Sequence, residues 1–285
     1  MGWLVEETTV SAFRLTSLML LTYLPPTDND PQRKRLRKRL RRRDIFLILV
    51  ISLFALGKSY LVDWIYPSNN GTLEMNISYV LDIALALWLG KRYAPEMFNY
   101  FKFPMRTRLV LPPLLIASFM LTLQVPLNHM IYKNPMHVLN GLFMVAMIGL
   151  GEEIVCRGLM FNLLRRHGLI KATVVSSIIF GLLHFNHLIG GKPAFAVTMQ
   201  VISAIGFGIF MCGLMINVRS IWPSVIFHAV TDFSIPFDVG YGFNSHFGIW
   251  KLLADLFMPT ILGIMGIILV KLSREYQVKS QESYE

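Results

Sequence analysis

The sequence predicts an all-α polytopic membrane protein with about eight transmembrane helices. Three observations predict it. First, 54% of the 285 residues are hydrophobic and only 15% are charged, and the mean hydropathy is +0.52. That is too apolar for an ordinary soluble domain. Second, the apolar residues collect into runs long enough to cross, or nearly cross, a hydrocarbon core. Third, Lys and Arg fall in alternate loops, as orients membrane helices.

Residues 1–43 read as a cytoplasmic N-terminal arm. Within it, 8–24 reads as an interfacial helix ended by "PPTDND". The opening "MGWLVEE" has Glu6 where a myristoylation site needs Ser or Thr. Glu6, Glu7 and Arg14 also speak against a secretory signal. Residues 31–43, "PQRKRLRKRLRRR", hold nine Lys/Arg and no acid, and the rest of the chain carries 18 basic against 17 acidic residues. The net charge of +10 is therefore one local feature. Beside a membrane span it predicts a topology anchor, with anionic lipid as the partner of residues 33–43. Nucleic acid is not expected as a partner, because no reading module accompanies the block.

The spans are expected near 44–66, 76–93, 109–127, 137–156, 170–187, 195–216, 221–236 and 250–271. The first three make an accessory region, 44–130; a core follows at 131–236; residues 237–285 supply the last span and a cytoplasmic tail. Residues 157–169 are expected to continue the fourth span as a helix along the cytoplasmic surface. "LPPLL", "IGGKP" and "SIPFDVGYG" mark span ends or kinks. One side gathers Lys91, Arg92, Lys102, Arg106, Arg108, Arg157, Arg165, Arg166, Lys171, Arg219, Lys271, Arg274 and Lys279, while the other has only Lys133, Lys192 and Lys251. Both termini are thus expected in the cytoplasm. Cys156 and Cys212 read as small buried residues, with no CxxC or disulfide framework.

Polar residues inside these spans point to chemistry. "GLGEEIVCRG" puts Glu152, Glu153 and Arg157 at the cytoplasmic end of the fourth span. A charge at a bilayer centre costs roughly 2.5–3.5 kcal/mol on insertion scales, so it is rarely kept without a use. Glu153 and Arg157, four apart, can pair on one helix face. Glu152 points about 100° away, and its four-apart neighbour is Cys156. "FGLLHFNH" puts Phe180 and His184 on one face of the fifth span, with His187 a turn further on. "HAVTD" puts His228 and Asp232 on one face of the seventh. Taken singly, each face has a bland reading: a Glu–Arg clasp, or a histidine satisfied between helices. Three polar faces that avoid lipid are expected to meet, and together they read as a site.

Two imidazoles and several carboxyls can deprotonate a water for attack on a carbonyl and stabilise the oxyanion. The same residues leave a zinc site open, with Glu152, His184 and His228 as candidate ligands. HExxH and GxSxG are absent. Lys58, Asp63 and Asp82 in the first two spans read as pairing or snorkelling residues. His129, His137, His167 and His246 read as loop or span-end residues.

The motifs "EEIVCR", "FGLLH" and "HAVTD" resemble, in order, the EExxxR, FxxxH and HxxxN/D motifs of the CAAX-protease and bacteriocin-processing (CPBP, Abi) family of intramembrane proteases, over about 137–236. The resemblance implies a membrane endopeptidase with a conical cavity open to the cytoplasmic side. By it, Glu152 and His184 activate water, and His228 and Asp232 steady the oxyanion. Glu153 and Arg157 shape the site, and Phe180 packs beside His184. It implies a peptide or membrane-anchored protein substrate, and roles in bacteriocin or signal-peptide maturation or self-immunity. The prenyl-protein branch has Asn at the last motif position; Asp232 here argues against assuming a prenylated substrate. Family members have been labelled metallopeptidases, but these residues also fit a glutamate mechanism without metal. The resemblance leans toward a bacterial cell membrane. The competing readings are a non-catalytic scaffold for a sensor or immunity partner, and a proton-relay transporter, which would call for internal repeats that the sequence lacks.

Overall fold

A computed structural model of the chain describes residues 31–65, 71–103, 135–189, 191–232 and 249–273. Every regular element among them is helical. In chain order they are α1 (Pro31–Ile65), α2 (Gly71–Tyr93), a 3-10 turn (Pro95–Tyr100), α3 (Pro135–Glu153), a π-helical segment (Ile154–Met160), α4 (Phe161–Arg165), α5 (Leu169–Leu183), α6 (Asn186–Ile189), α7 (Ala194–Val218), α8 (Trp222–Thr231) and α9 (Ile249–Leu272). The expected interfacial helix at 8–24, the span at 109–127, the end of the tail, His129 and His246 lie outside the described residues.

Five helical stretches among the described residues are long and apolar enough to cross a membrane: Lys38–Ile65, Leu73–Tyr93, Val138–Arg165, Leu169–Ile189 and Ala194–Val218. α9 carries a shorter apolar stretch, Leu256–Leu272. Large apolar side chains such as Phe46, Leu53, Trp88, Phe143 and Ile264 stand on the outer surface, where hydrocarbon rather than water satisfies them. The chain is an integral membrane protein.

Two elements differ from the sequence expectation. The span expected at 221–236 is represented by α8, whose ten residues end at Thr231. At 1.5 Å per residue that is about 15 Å, half a hydrocarbon core. The fourth span also does not stop at 156: α3, the π segment and α4 run on as one stretch, and residues 154–163 are buried. The cause is packing. Leu159, Met160, Phe161 and Leu163 are fully enclosed by the helix bundle, so this segment lies inside it rather than on a surface. Glu152 and Glu153 therefore sit near the middle of a 28-residue apolar helical stretch, Val138–Arg165.

Close backbone approach fixes the arrangement. α7 packs along α9, where a side chain on Gly206 would run into the Pro259 backbone and one on Gly213 into Gly266. Small residues let membrane helices meet this closely. Basic termini gather at one end of the bundle. There Asp44 at the base of the first span, 1% exposed, meets Arg43 at 2.9 Å, His167 at 3.4 Å and Arg166 at 3.5 Å. Arg166 also donates to the Tyr93 carbonyl at 3.0 Å, and the Trp222 indole N–H to the Phe101 carbonyl at 2.9 Å. Arg166 thus ties the end of α4 to α1 and to the end of α2, and Trp222 ties the start of α8 to the stretch after the 3-10 turn.

Candidate active site

The site begins with a glycine. A Cβ on Gly149 of α3 would lie 2.9 Å from the Val225 carbonyl oxygen and 3.0 Å from the Ala229 nitrogen of α8. Only glycine permits that approach, and it brings the turn after Gly149 against His228. The helix then changes pitch. The π segment starts directly after Glu153, and single π turns recur at functional sites because they redirect side chains. Asn162 donates to the Gly158 carbonyl at 2.6 Å and to the Arg157 carbonyl at 3.3 Å, satisfying backbone oxygens in the widened stretch.

Glu153 and Arg157 form the sealed floor. Glu153 is 0% and Arg157 1% exposed, and their charges meet at 3.1 Å. The guanidinium also lies 4.2 Å from the centroid of the Phe180 ring. It fits because Gly208 of α7 lacks a side chain: a Cβ there would stand 3.0 Å from Arg157 Nη2. Arg157 is therefore held by a carboxylate and a ring face rather than by aligned hydrogen bonds.

On that floor stands His228, 4% exposed. Its Nδ1 is 2.9 Å from Glu153 Oε1, which makes Nδ1–H the donor to a buried carboxylate. Its Nε2 faces two further carboxyls, Asp232 Oδ2 at 3.5 Å and Glu152 Oε2 at 3.6 Å. The sequence pairs Glu153 only with Arg157; the structure adds His228 as its second partner. Asp232 stands at the C-cap of α8, its backbone N–H on the His228 carbonyl at 3.1 Å.

Exposure separates the members. The side chains of Glu152 and Asp232 are 24% and 25% exposed, and His184 is half-buried. A reactant can reach these three but not Glu153 or Arg157. His184 caps α5, with its Nδ1 3.0 Å from the Phe180 carbonyl, so Nε2 is the nitrogen left for another partner. Phe180 is the common wall: its ring is edge-on to His184 at 5.0 Å and to His228 at 5.8 Å. His184 is close enough to Glu152 to interact with it electrostatically. Phe207 of α7 closes the other side of His228, ring to ring at 6.0 Å. His187 turns instead to Gln200, 2.8 Å from its Oε1, in contact with the His184 ring.

The motif-bearing faces of the three spans thus meet, as the sequence predicts. Sequence reasoning missed Tyr79. Its hydroxyl donates to Glu152 Oε1 at 2.8 Å, so Glu152, which has no partner on its own helix, has one from α2. The legible signal was a polar-tipped aromatic in mid-span three residues before Asp82. Asp82 is the partner of Lys58, both buried, whereas Asp63 is exposed. Cys156 and Cys212 are free and buried, and Cys212 Sγ lies 3.7 Å from Ser176 Oγ.

Among the described residues no three His, Cys, Asp or Glu side chains come together as ligands of one ion. Both nitrogens of His228 already face carboxyl oxygens. The candidate set Glu152, His184 and His228 does not present a converging triad.

Comparison with curated proteins and with solved structures gives no match. A scan of family models does: the family described as type II CAAX prenyl endopeptidase Rce1-like matches residues 134–234. That segment runs from the start of α3 past Asp232 and contains every motif residue of the cluster. Over residues 134–234 the chain is similar to that family, a family of proteases.

Proposed function

We propose that the protein is an intramembrane endopeptidase that hydrolyses a peptide bond in a membrane-associated peptide or protein. The observation that carries this reading is the asymmetry of the cluster. A reachable carboxylate, Glu152, stands over a buried His228–Glu153–Arg157 stack, with reachable Asp232 and His184 beside it. Glu152 takes a proton from a water that His184 Nε2 helps to hold, and the oxygen attacks the scissile carbonyl. His228, which donates through Nδ1 to Glu153, donates through Nε2 to the oxyanion when doubly protonated. Asp232, 3.5 Å from Nε2, stabilises the imidazolium by its charge while the Nε2–H turns to the oxyanion. The intermediate collapses as the proton on Glu152 passes to the leaving amine, which restores the carboxylate. Glu153, Arg157 and Phe180 hold the geometry without touching substrate.

The wider reading is of about eight spans, a cavity open to the cytoplasm and both termini on that side of a bacterial membrane. In it, residues 33–43 hold anionic lipid. The basic ends that converge around Asp44 support it. Substrates fit bacteriocin or signal-peptide maturation or self-immunity. The carboxylate at 232, where the prenyl-protein branch has an amide donor, is the reason not to assume a prenyl group.

The test compares wild type with Glu152→Ala in host membranes at matched expression, by mass spectrometry of newly formed peptide termini. Termini absent from the variant establish hydrolysis and name a substrate. Identical termini with an intact host phenotype would leave the chain a scaffold.

A further inference from the structure

One helix outside the matched segment reaches Glu152, and a second braces it. On α2, Tyr79 and Asp82 are three apart and share a face. Asp82 pairs with Lys58 of α1, and the two are 4% and 8% exposed. That pair holds the Lys58 ammonium 4.0 Å from the centroid of the Tyr79 ring. The ring also meets Gly151 of α3, where an added Cβ would stand 2.7 Å from Tyr79 Cδ1. The ring is pinned between an ammonium and a bare stretch of backbone, and its hydroxyl is delivered to Glu152 Oε1 at 2.8 Å.

A glutamate carboxylate turns about a soft torsion with a broad, roughly two-fold preference. Left alone, Glu152 would present either oxygen, at many angles. With Oε1 tied to Tyr79, Oε2 is the oxygen aimed at His228. The ion pair behind the ring also needs an explanation. Buried charges in a span are costly and tend to be kept for function, yet Lys58 and Asp82 belong to no motif of the matched family segment.

We infer that Tyr79 is the positioning residue for Glu152, and that the Lys58–Asp82 pair is its seat. The two helices before the matched segment are then part of the catalytic assembly. This rests on the role proposed for Glu152.

The test has two readouts on the full-length protein in lipid nanodiscs and host membranes. An infrared difference spectrum, wild type minus Glu152→Gln, isolates the Glu152 carboxylate band. Tyr79→Phe keeps the ring and its Lys58 contact and removes only the hydroxyl, so the band should shift. Glu152-dependent termini should form roughly ten- to a hundredfold more slowly, the size of one hydrogen bond to a charged group. Gly151→Ala leaves the phenol intact but displaces the ring, and should change both readouts in the same direction. An unmoved band in both variants overturns the inference whatever the activity. A shifted band with wild-type formation of termini overturns it too, because the contact would then be merely structural. Termini that form at the wild-type rate in Glu152→Gln defeat the proposed hydrolysis itself, a failure visible without either Tyr79-directed variant.

Discussion

Arg157→Ala should unfold the core rather than merely slow the reaction. Arg157 lies 3.1 Å from Glu153, and the two are 1% and 0% exposed. At an effective dielectric constant of about 20, two charges at that distance attract by about 5 kcal/mol. The ring face of Phe180, 4.2 Å away, adds about 2 kcal/mol for a desolvated cation–π contact. These gains are offset by desolvation, so the pair adds little net stability. Removing one partner is a different case, because it leaves Glu153 charged, enclosed and held only by His228. Breaking a buried pair in this way costs about 3–5 kcal/mol. The assay is the denaturation midpoint of purified protein in detergent, with Arg157→Ala expected to lose most of its cooperative transition. The double variant Arg157→Met with Glu153→Gln removes both charges together. It should recover most of the midpoint, since the amide oxygen still accepts from His228 Nδ1. A wild-type midpoint for Arg157→Ala would refute the sealed floor. A double variant no better than the single would refute the uncompensated charge as the cause.

The remaining predictions concern geometry and proton placement. Gly149→Val should push α8 off α3, cost about 1–3 kcal/mol through overpacking and stop Glu152-dependent cleavage, as read by midpoint and termini. Gly206→Leu should lower the midpoint by forcing α7 from Pro259 of α9. Asp232→Asn should keep cleavage within about tenfold, because the amide can donate as well as accept, whereas Asp232→Ala should lose more. Prolonged dialysis against a chelator should leave the rate of Glu152-dependent termini unchanged, because no ligand triad converges on the cluster.

The helical membrane class and the meeting of the three motif faces were legible because both follow from hydropathy and from helix periodicity. Glu153–Arg157 and Phe180–His184 are one-turn pairs, which sequence spacing predicts directly. What sequence could not give was any contact set by the tertiary approach of backbones. Gly149 decides that His228 falls on Glu153, and nothing in "GLGEE" announces its partner helix. The π segment carries the fourth span on past 156 and buries Arg157, whereas regular periodicity placed that residue at a cytoplasmic surface. Tyr79 was hidden for a related reason: its partner lies 73 residues away, and an aromatic in a span ordinarily reads as packing. Lys58 was legible as a residue needing a partner, but sequence alone did not choose Asp82 over Asp63.

The central claim is that residues from three helices act as one reacting unit. The most direct measurement is the residual rate at which the wild-type termini appear in Glu152→Gln, in His228→Ala and in the double variant, at matched expression. Residues that act as a unit give grossly non-additive losses. The account predicts a double variant within a few-fold of the slower single. A double variant slowed by the product of the two separate losses would contradict it, because Glu152 and His228 would then be acting independently.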